Sequence, residues 1–274
     1  MTETIGIILK KHRKALKLTQ TQVCEGICAQ SMLSAIEHDH YIPNAQLLIA
    51  LCRQLEISLD ALSLANNYAI SDKPSFNQQM ISLCNHHQYQ QLLDFLSDDT
   101  VSDTVATDAQ TQSYYYYLAV AQLQSTDQPD LNLVHQFLQL SLASATPAQQ
   151  SLTRLTQATL AYLAAKSGKE NEVDNQVKLA LANIEEGPFD ENLNIVFYLT
   201  ALANYFLGKN QASVHLVTQG IDFITKHDSH YMLANCYYLI ALIAESLGDT
   251  EKSSQSESRS DFLSTLFNEK VYKR

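Results

Sequence analysis

The chain has 274 residues, 46% of them apolar, and a formal net charge of −11. That apolar fraction is sufficient for a packed core and excludes a disordered chain. Glycine (7) and proline (5) are scarce, which argues against turn-rich β-sandwiches and β-barrels and predicts an almost entirely helical protein. The GxGxxG and GxxxxGK[ST] patterns of phosphate-binding loops are also missing from the sequence.

The charge is distributed unevenly along the chain. Residues 1–70 contain six basic and six acidic side chains, so the residues after 70 carry the whole net charge of −11. Five of the six basic residues lie between positions 10 and 17. A neutral segment with a basic run, followed by an acidic remainder, predicts two domains with different partners.

The cysteines and the apolar runs indicate the compartment. Five cysteines occur without CxxC spacing, and no apolar stretch is long enough for a signal peptide or a membrane span. We therefore expect a cytoplasmic protein with free thiols and no membrane association. Cys24, Cys28, His38 and His40 lack zinc-finger spacing, so neither a metal nor another cofactor is expected.

The first 65 residues have the pattern of five short helices. Apolar residues recur at helical spacing within residues 5–16, 23–27, 32–36 and 47–55. Thr19 and Gln22 have capping-box spacing, and Ser58 is expected to cap the fifth helix. Two helices of fewer than ten residues, joined by a tight connection near residues 27–30, predict a helix-turn-helix.

Two short stretches of this segment carry a family resemblance. Leu18-Thr19-Gln20, followed by the run Gln30-Ser31-Met32-Leu33-Ser34-Ala35-Ile36-Glu37, resembles the phage-repressor (Cro/CI-like) helix-turn-helix family. Residues 42–48 and 55–62 are similar to the fourth and fifth helices of that family. The turn at residues 27–31 is short and has no glycine, and in this it resembles the PlcR/Rgg subgroup of peptide-pheromone regulators.

The resemblance implies how the domain would contact DNA. Gln20 would contact a phosphate and brace Gln30. The side chains of Gln30, Ser31 and Ser34 would face base edges in the major groove, where glutamine can pair with adenine. Contacts to the DNA backbone, which position the domain without specifying sequence, would come from Lys10, Lys14, Tyr41 and Asn44.

The resemblance also implies a structural ion pair between Arg13 and Glu37, which would join the first helix to the end of the recognition helix. Ala35 stands where many relatives carry Arg or Lys, so the recognition helix has no positive charge. A single domain is therefore expected to bind DNA weakly, which makes a homodimer necessary.

Residues 67–75 are polar and include Pro74, which predicts a linker between a DNA-binding domain at 1–66 and a second domain at 76–274. In the second domain Gly168, Gly208 and Gly248 are separated by 40 residues each. An alanine precedes each glycine by seven positions, and a small residue follows each by twelve. This spacing predicts tetratricopeptide-type helix pairs in which the glycine ends the first helix. An elongated array of this kind also resembles the PlcR/Rgg regulators.

The predicted fold class is therefore all-α, with a five-helix helix-turn-helix domain followed by a right-handed tetratricopeptide-like α-solenoid. The first helix of each pair is expected to line the concave face, where tyrosines offer apolar area and amides can hold a peptide backbone. Ordinary packing between repeats is the alternative role for each tyrosine. The candidate peptide-binding residues are Tyr115, Gln122, Tyr162, Tyr198, Asn235 and Tyr238.

The sequence supports three hypotheses about function, and none is an enzyme. The leading one is a transcription regulator of the quorum-sensing type, which binds double-stranded DNA as a homodimer and responds to a short signalling peptide in the repeat domain. The second is a protein-interaction adaptor built on the repeats. The third is a repressor whose repeats only dimerise.

Overall fold

The computed structural model describes residues 5–41, 43–55, 67–267 and 269–272. Contacts divide the chain into two compact units, residues 1–64 and 65–274. Within the described ranges every regular element is helical, as the scarcity of glycine and proline predicts. No helix in these ranges is long and apolar enough to span a membrane.

The first unit contains a cluster of short helices around a small apolar core. Leu9, Val23, Leu33, Ile36 and Leu51 are fully or almost fully buried in it, at the helical spacing that the sequence predicts. The predicted fifth helix lies outside the described residues. The helices that are described are α1 (Ile5–Ala15), α2 (Gln20–Cys24), α3 (Gln30–Glu37) and α4 (Ala45–Gln54).

The close approach of α1 to α3 and the start of α2 are both set by particular residues. A Cβ on Gly6 would collide with the carbonyl oxygen of Ile36, so only glycine permits this helix contact. The capping box predicted at α2 is confirmed, because the Thr19 hydroxyl accepts from the Gln22 N–H and the Gln22 amide oxygen accepts from the Thr19 N–H.

The second unit is an array of antiparallel helix pairs. Its first helices are α5 (Pro74–Asn85), α6 (Tyr89–Leu96) and the short α7 (Asp99–Ser102). Four longer pairs follow, and in each the second helix packs against the first. They are α8 (Asp108–Gln124) with α9 (Leu131–Ala143), α10 (Gln150–Lys166) with α11 (Glu170–Leu181), α12 (Asn192–Phe206) with α13 (Asn210–Lys226), and α14 (Leu233–Ser246) with α15 (Thr250–Phe267).

The 40-residue repeat is visible in how the first helices end. Gly168, Gly208 and Gly248 have φ values of 67°, 71° and 77°, a left-handed conformation that glycine adopts without steric cost. In each case the glycine N–H and the next N–H bond back to the last turn of the helix, as in a Schellman motif. The prediction that these glycines cap α10, α12 and α14 is confirmed.

Small residues of the second helices allow close packing within a pair. A Cβ on Gly220 of α13 would lie 2.8 Å from the Cβ of Phe197 in α12. Ser260 of α15 donates to the carbonyl oxygen of Ala234 in α14, at 2.8 Å. The expectation that these small residues admit the following repeat was therefore wrong, because they face the first helix of their own pair.

The segment before α5 packs within the second unit. The Tyr68 N–H donates to the Tyr117 hydroxyl at 3.0 Å, and the Tyr68 hydroxyl accepts from the Asn192 amide at 3.0 Å. Ile70 is fully buried in the core of this unit. Part of the predicted linker at 67–75 thus contributes to the second unit, and the domain boundary at residue 66 stays a prediction.

Candidate functional site

A chain of side-chain hydrogen bonds connects the interior of the first unit to the exposed face of α3. The Arg13 guanidinium binds both carboxylate oxygens of Glu37, with Nε–Oε1 at 2.5 Å and Nη2–Oε2 at 2.8 Å. The Gln20 amide donates to Glu37 Oε2 at 2.8 Å. The Gln20 Oε1 in turn accepts from the Gln30 amide at 2.6 Å. The first residue of α3 is therefore held, through Gln20, by a buried ion pair.

The ion pair keeps the Glu37 carboxylate charged. Glu37 is only 3% exposed, and burial alone raises the pKa of a carboxyl group. The hydrogen bonds from Arg13 and Gln20 outweigh this effect, so the pKa of Glu37 lies below its usual value. Arg13 also donates to the carbonyl oxygen of Leu18 at 3.0 Å. One guanidinium thus connects α1, the start of the helix-turn-helix and the end of α3.

The residues predicted to contact bases lie along one helix with different exposure. Gln30 and Ser31 are exposed at the start of α3, whereas Ser34, one turn later, is half-buried. Among the predicted backbone-contacting residues, Lys14 and Tyr41 are exposed and Lys10 is half-buried. Asn44 is exposed, and its side-chain oxygen accepts from the Leu47 N–H at 2.9 Å, so it caps the first turn of α4.

The connection between α2 and α3 differs from the sequence-based description. The turn begins directly after Cys24 and includes Gly26, whose φ is 73°. Placing the turn at residues 27–31, without a glycine, was therefore wrong, because α2 ends earlier than expected. Gly26 supplies the left-handed conformation that reverses the chain here.

The second unit contains a groove of about 460 Å³, a size typical of ligand-binding pockets. The first helices of successive pairs line it, together with residues near the end of the chain. Lys270 is its single charged lining residue. The lining comprises Tyr89, Tyr116, Val120, Leu123, Gln124, Thr159, Tyr162, Ile195, Tyr198, Leu199, Leu202, Tyr231, Met232, Lys270, Val271 and Tyr272.

The groove tyrosines are neutral hydrogen-bonding groups. Burial raises the pKa of Tyr116, Tyr89 and Tyr231 above the usual value, so each keeps its hydroxyl proton at neutral pH. Apolar side chains of α8, α10 and α12 separate these hydroxyls along the groove. The surface therefore suits a ligand that alternates apolar side chains with backbone amide groups.

Two of the six predicted peptide-binding residues, Tyr162 and Tyr198, line the groove. Tyr115, Gln122 and Tyr238 are half-buried and lie outside its lining. The Tyr115 ring stacks instead on Phe137 of α9, with centroids 6.2 Å apart.

The sequence reasoning missed Tyr116 because the repeat register changes in α8. Thr159 and Leu199 line the groove at positions 40 residues apart, as do Tyr162 and Leu202. Extending this spacing back to α8 selects positions 119 and 122, whereas the groove is lined by Val120 and Leu123. Six residues separate α8 from α9, against three between α10 and α11, so the first pair does not keep the spacing of the later ones.

Asn235 has a different environment from the one expected. It is fully buried, and its amide bonds to the backbone of residues 270 and 272. The predicted ability of Asn235 to hold an extended backbone is thus exercised on the chain's own end. No pattern in the last residues of the sequence indicated this contact.

Comparison with known proteins agrees with the helical arrangement of both units. The helix-turn-helix family model matches residues 9–62. Residues 9–62 form a helix-turn-helix domain. No curated protein sequence matches the chain significantly.

Solved structures match the chain over nearly its whole length. PlcR of Bacillus thuringiensis, in a crystal structure with the peptide PapR7 and DNA, is 22% identical, with a TM-score of 0.60 over 97% of this chain and 96% of that one. The chain has the PlcR fold. The apo form of PlcR gives 17% identity and a TM-score of 0.56, covering 98% of this chain and 99% of that one. The resemblance to PlcR/Rgg regulators is thus confirmed at the level of fold.

Proposed function

We propose that this protein is a transcription regulator that binds double-stranded DNA through its helix-turn-helix domain and is controlled by a short peptide bound in the groove of its repeat unit. The observation that carries the proposal is the groove, which is lined by apolar and tyrosine side chains and belongs to the same chain as a helix-turn-helix domain. A non-enzymatic, cytoplasmic role as a homodimer follows from this proposal.

The DNA-binding part of the proposal is supported by the arrangement of α3. Gln30 and Ser31 are exposed at its N-terminal end, the part of a recognition helix that contacts base edges in helix-turn-helix proteins. Gln20 limits the orientations open to Gln30, which reduces the entropy lost on contact with a base. PlcR, which shares the fold, was solved with DNA.

The peptide part of the proposal is supported by the size and chemistry of the groove. A cavity of about 460 Å³ accommodates several side chains of an extended peptide but not a folded protein. The groove offers Leu, Ile and Val side chains for apolar peptide residues and tyrosine hydroxyls for its amides. PlcR was solved with the peptide PapR7, a ligand of the class that this groove suits.

Dimerisation would supply the DNA affinity that α3 lacks. The recognition helix contains no basic residue, and a single weakly charged domain binds DNA poorly at physiological salt. Two domains on one operator combine their contacts, with half-sites about one helical turn apart. Peptide binding would change how well the two domains match that spacing.

The experiment has two stages with the full-length protein. The first selects duplexes from a random-sequence DNA pool and measures binding of the enriched duplex by fluorescence anisotropy as salt is varied. The second pans a random heptapeptide pool on the immobilised protein and adds the enriched peptides to the DNA-binding assay. We expect one enriched DNA sequence, salt-sensitive binding, and a peptide that changes the DNA affinity.

The outcomes separate the three hypotheses of the sequence analysis. Failure to enrich any duplex would contradict DNA recognition and favour the interaction adaptor. Specific DNA binding that no enriched peptide alters would favour a repressor whose repeats only dimerise. Sedimentation of the protein with and without the enriched duplex measures the stoichiometry, which we expect to be two chains for each operator.

A further inference from the structure

The end of the chain folds back onto the groove. After α15, residues 269–272, here called the tail, form no helix. The Glu269 N–H donates to the Ser264 carbonyl oxygen at 3.1 Å, and the Ser264 hydroxyl donates to the Glu269 carbonyl oxygen at 2.7 Å. These two bonds direct the tail away from α15, and Val271 and Tyr272 then line the groove.

Asn235 holds the tail by its backbone. The Asn235 amide N–H donates to the Lys270 carbonyl oxygen at 3.0 Å, and its amide oxygen accepts from the Tyr272 N–H at 3.1 Å. Both groups belong to the main chain, so this contact selects an extended backbone rather than a particular side chain. Because Asn235 is fully buried, its amide has to be satisfied by protein or ligand groups rather than by bulk water.

The Glu269 side chain occupies a second, charged contact beside Asn235. Its carboxylate accepts from the Asn235 amide at 2.6 Å and from the Met232 N–H at 3.2 Å. Met232 is the residue directly before the first turn of α14, where free backbone N–H groups favour a negative charge. The structure thus shows a carboxylate bound at this end of the groove.

Tyr272 reaches the opposite wall of the groove. Its ring lies edge-on to His87, with centroids 6.2 Å apart, and its hydroxyl interacts with Tyr89 at the start of α6. The tail therefore connects the last helix pair, through Asn235, to one of the first helices of the array. Four residues bridge the groove from end to end.

We propose that the tail is a tethered occupant of the groove, which a signalling peptide displaces by taking over its contacts with Asn235 and α14. This inference rests on the proposed function, since it concerns regulation of the same groove. The displacing peptide binds in extended form. It carries a carboxylate side chain for the first turn of α14 and an aromatic residue three positions later, as the tail does.

Tethering sets the size of the expected effect. A segment attached by a short connection has an effective concentration on the order of 1 mM. If the same segment free in solution binds with a Kd of about 0.1 mM, the attached tail occupies the groove about ten times more often than it leaves it. A competing peptide then binds the full-length chain about tenfold more weakly than a chain without the tail.

The test uses the tail sequence itself as the probe. A fluorescein-labelled heptapeptide with the sequence of residues 268–274, Asn-Glu-Lys-Val-Tyr-Lys-Arg, is titrated into the full-length chain and into a chain that ends at Phe267. We expect saturable binding to the shortened chain and at least tenfold weaker binding to the full-length chain. A control peptide with Gln for Glu and Ala for Tyr should bind the shortened chain at least tenfold more weakly than the probe.

Point variants keep the test decisive if the shortened chain does not fold. In the full-length chain, Tyr272→Ala removes the contact with α6 and should strengthen probe binding severalfold. Phe262→Ala, which removes an aromatic ring that is 66% exposed on α15, is the matched control and should leave probe binding unchanged. In the shortened or the Tyr272→Ala chain, the further change Asn235→Ala should abolish probe binding.

Equal probe binding to the full-length, shortened and Tyr272→Ala chains overturns the proposal, as does binding that survives Asn235→Ala. These results are independent of DNA. If the probe behaves as expected but no peptide alters DNA binding, the tail assignment stands and peptide control of transcription fails. If panned heptapeptides alter DNA binding and bind the full-length and shortened chains equally, peptide control stands and the tail assignment fails.

Discussion

Removing the Glu37 carboxylate should unfold the helix-turn-helix unit locally while the repeat unit remains folded. In Glu37→Ala the Arg13 guanidinium, whose side chain is only 13% exposed, loses both of its charge-assisted bonds. The Gln20 amide loses its acceptor as well. Breaking a buried pair by removing one partner costs about 3–5 kcal/mol. A unit of roughly 60 residues has only about 3–9 kcal/mol of stability in total, so the change consumes a large part of it.

Hydrogen–deuterium exchange with mass spectrometry checks this prediction, because it reports the two units separately. Amides of α1 and α3 should lose most of their protection in Glu37→Ala, whereas those of α10 and α12 should keep theirs. The thermal midpoint of the first unit should fall by more than about 10 °C. Glu25→Ala, which removes an exposed carboxylate next to α2, is the control. Unchanged protection of α1 and α3 in Glu37→Ala would refute the reasoning.

The same ion pair makes the first unit sensitive to acid. The pKa of Glu37 is lowered in the folded state, so the folded state binds the proton less tightly than the unfolded chain. The stabilisation is therefore complete above the unfolded pKa of 4.5 and is lost as the pH falls through the lower folded value. Exchange protection of α1 and α3 should decrease below about pH 4.5 in the wild type, and Glu37→Gln should remove this dependence.

Three further changes have expected outcomes. Gln30→Ala should lower affinity for the selected duplex and relax its sequence preference at one position, by about 1–3 kcal/mol in discrimination; anisotropy with duplex variants measures this, and Gln79→Ala on α5 should change neither. Tyr198→Ala, which opens the groove wall, should weaken binding of the enriched heptapeptide more than about tenfold in calorimetry; Tyr238→Ala, outside that lining, should change it little, and the reverse order would contradict the groove assignment. Gly220→Ala places a Cβ 2.8 Å from that of Phe197 and should lower the free energy of unfolding by about 1–3 kcal/mol; Gly187→Ala, with open space around it, should not, and equal urea midpoints would show that α12 and α13 can separate freely.

Local sequence patterns predicted the elements whose structure depends on local interactions. The capping box at Thr19 depends on residues three positions apart. The caps at Gly168, Gly208 and Gly248 depend on the left-handed conformation of one residue. Because such interactions involve neighbours in sequence, their spacing is sufficient to predict them.

Contacts between distant segments were harder to predict. The run of tyrosines in α8 illustrates this, because Tyr115 and Tyr116 differ only in the direction in which they leave the helix. Which of the two faces the groove depends on the length of the connection to α9, a property of the pair rather than of either residue. The tail has no helical periodicity, and its partner Asn235 lies more than 30 residues earlier, so no local pattern relates them.

The hydrogen bond between Gln20 and Gln30 also bears on how this regulator can evolve. Gln20 uses one amide group to brace the exposed Gln30 and to support the buried Glu37. A substitution at position 30 that abolishes the amide donor frees the Gln20 oxygen and lets the side chain rotate away from Glu37. New operator specificity at position 30 thus comes at a cost in domain stability unless position 20 changes with it. Homologues with different operators should therefore vary at these two positions together.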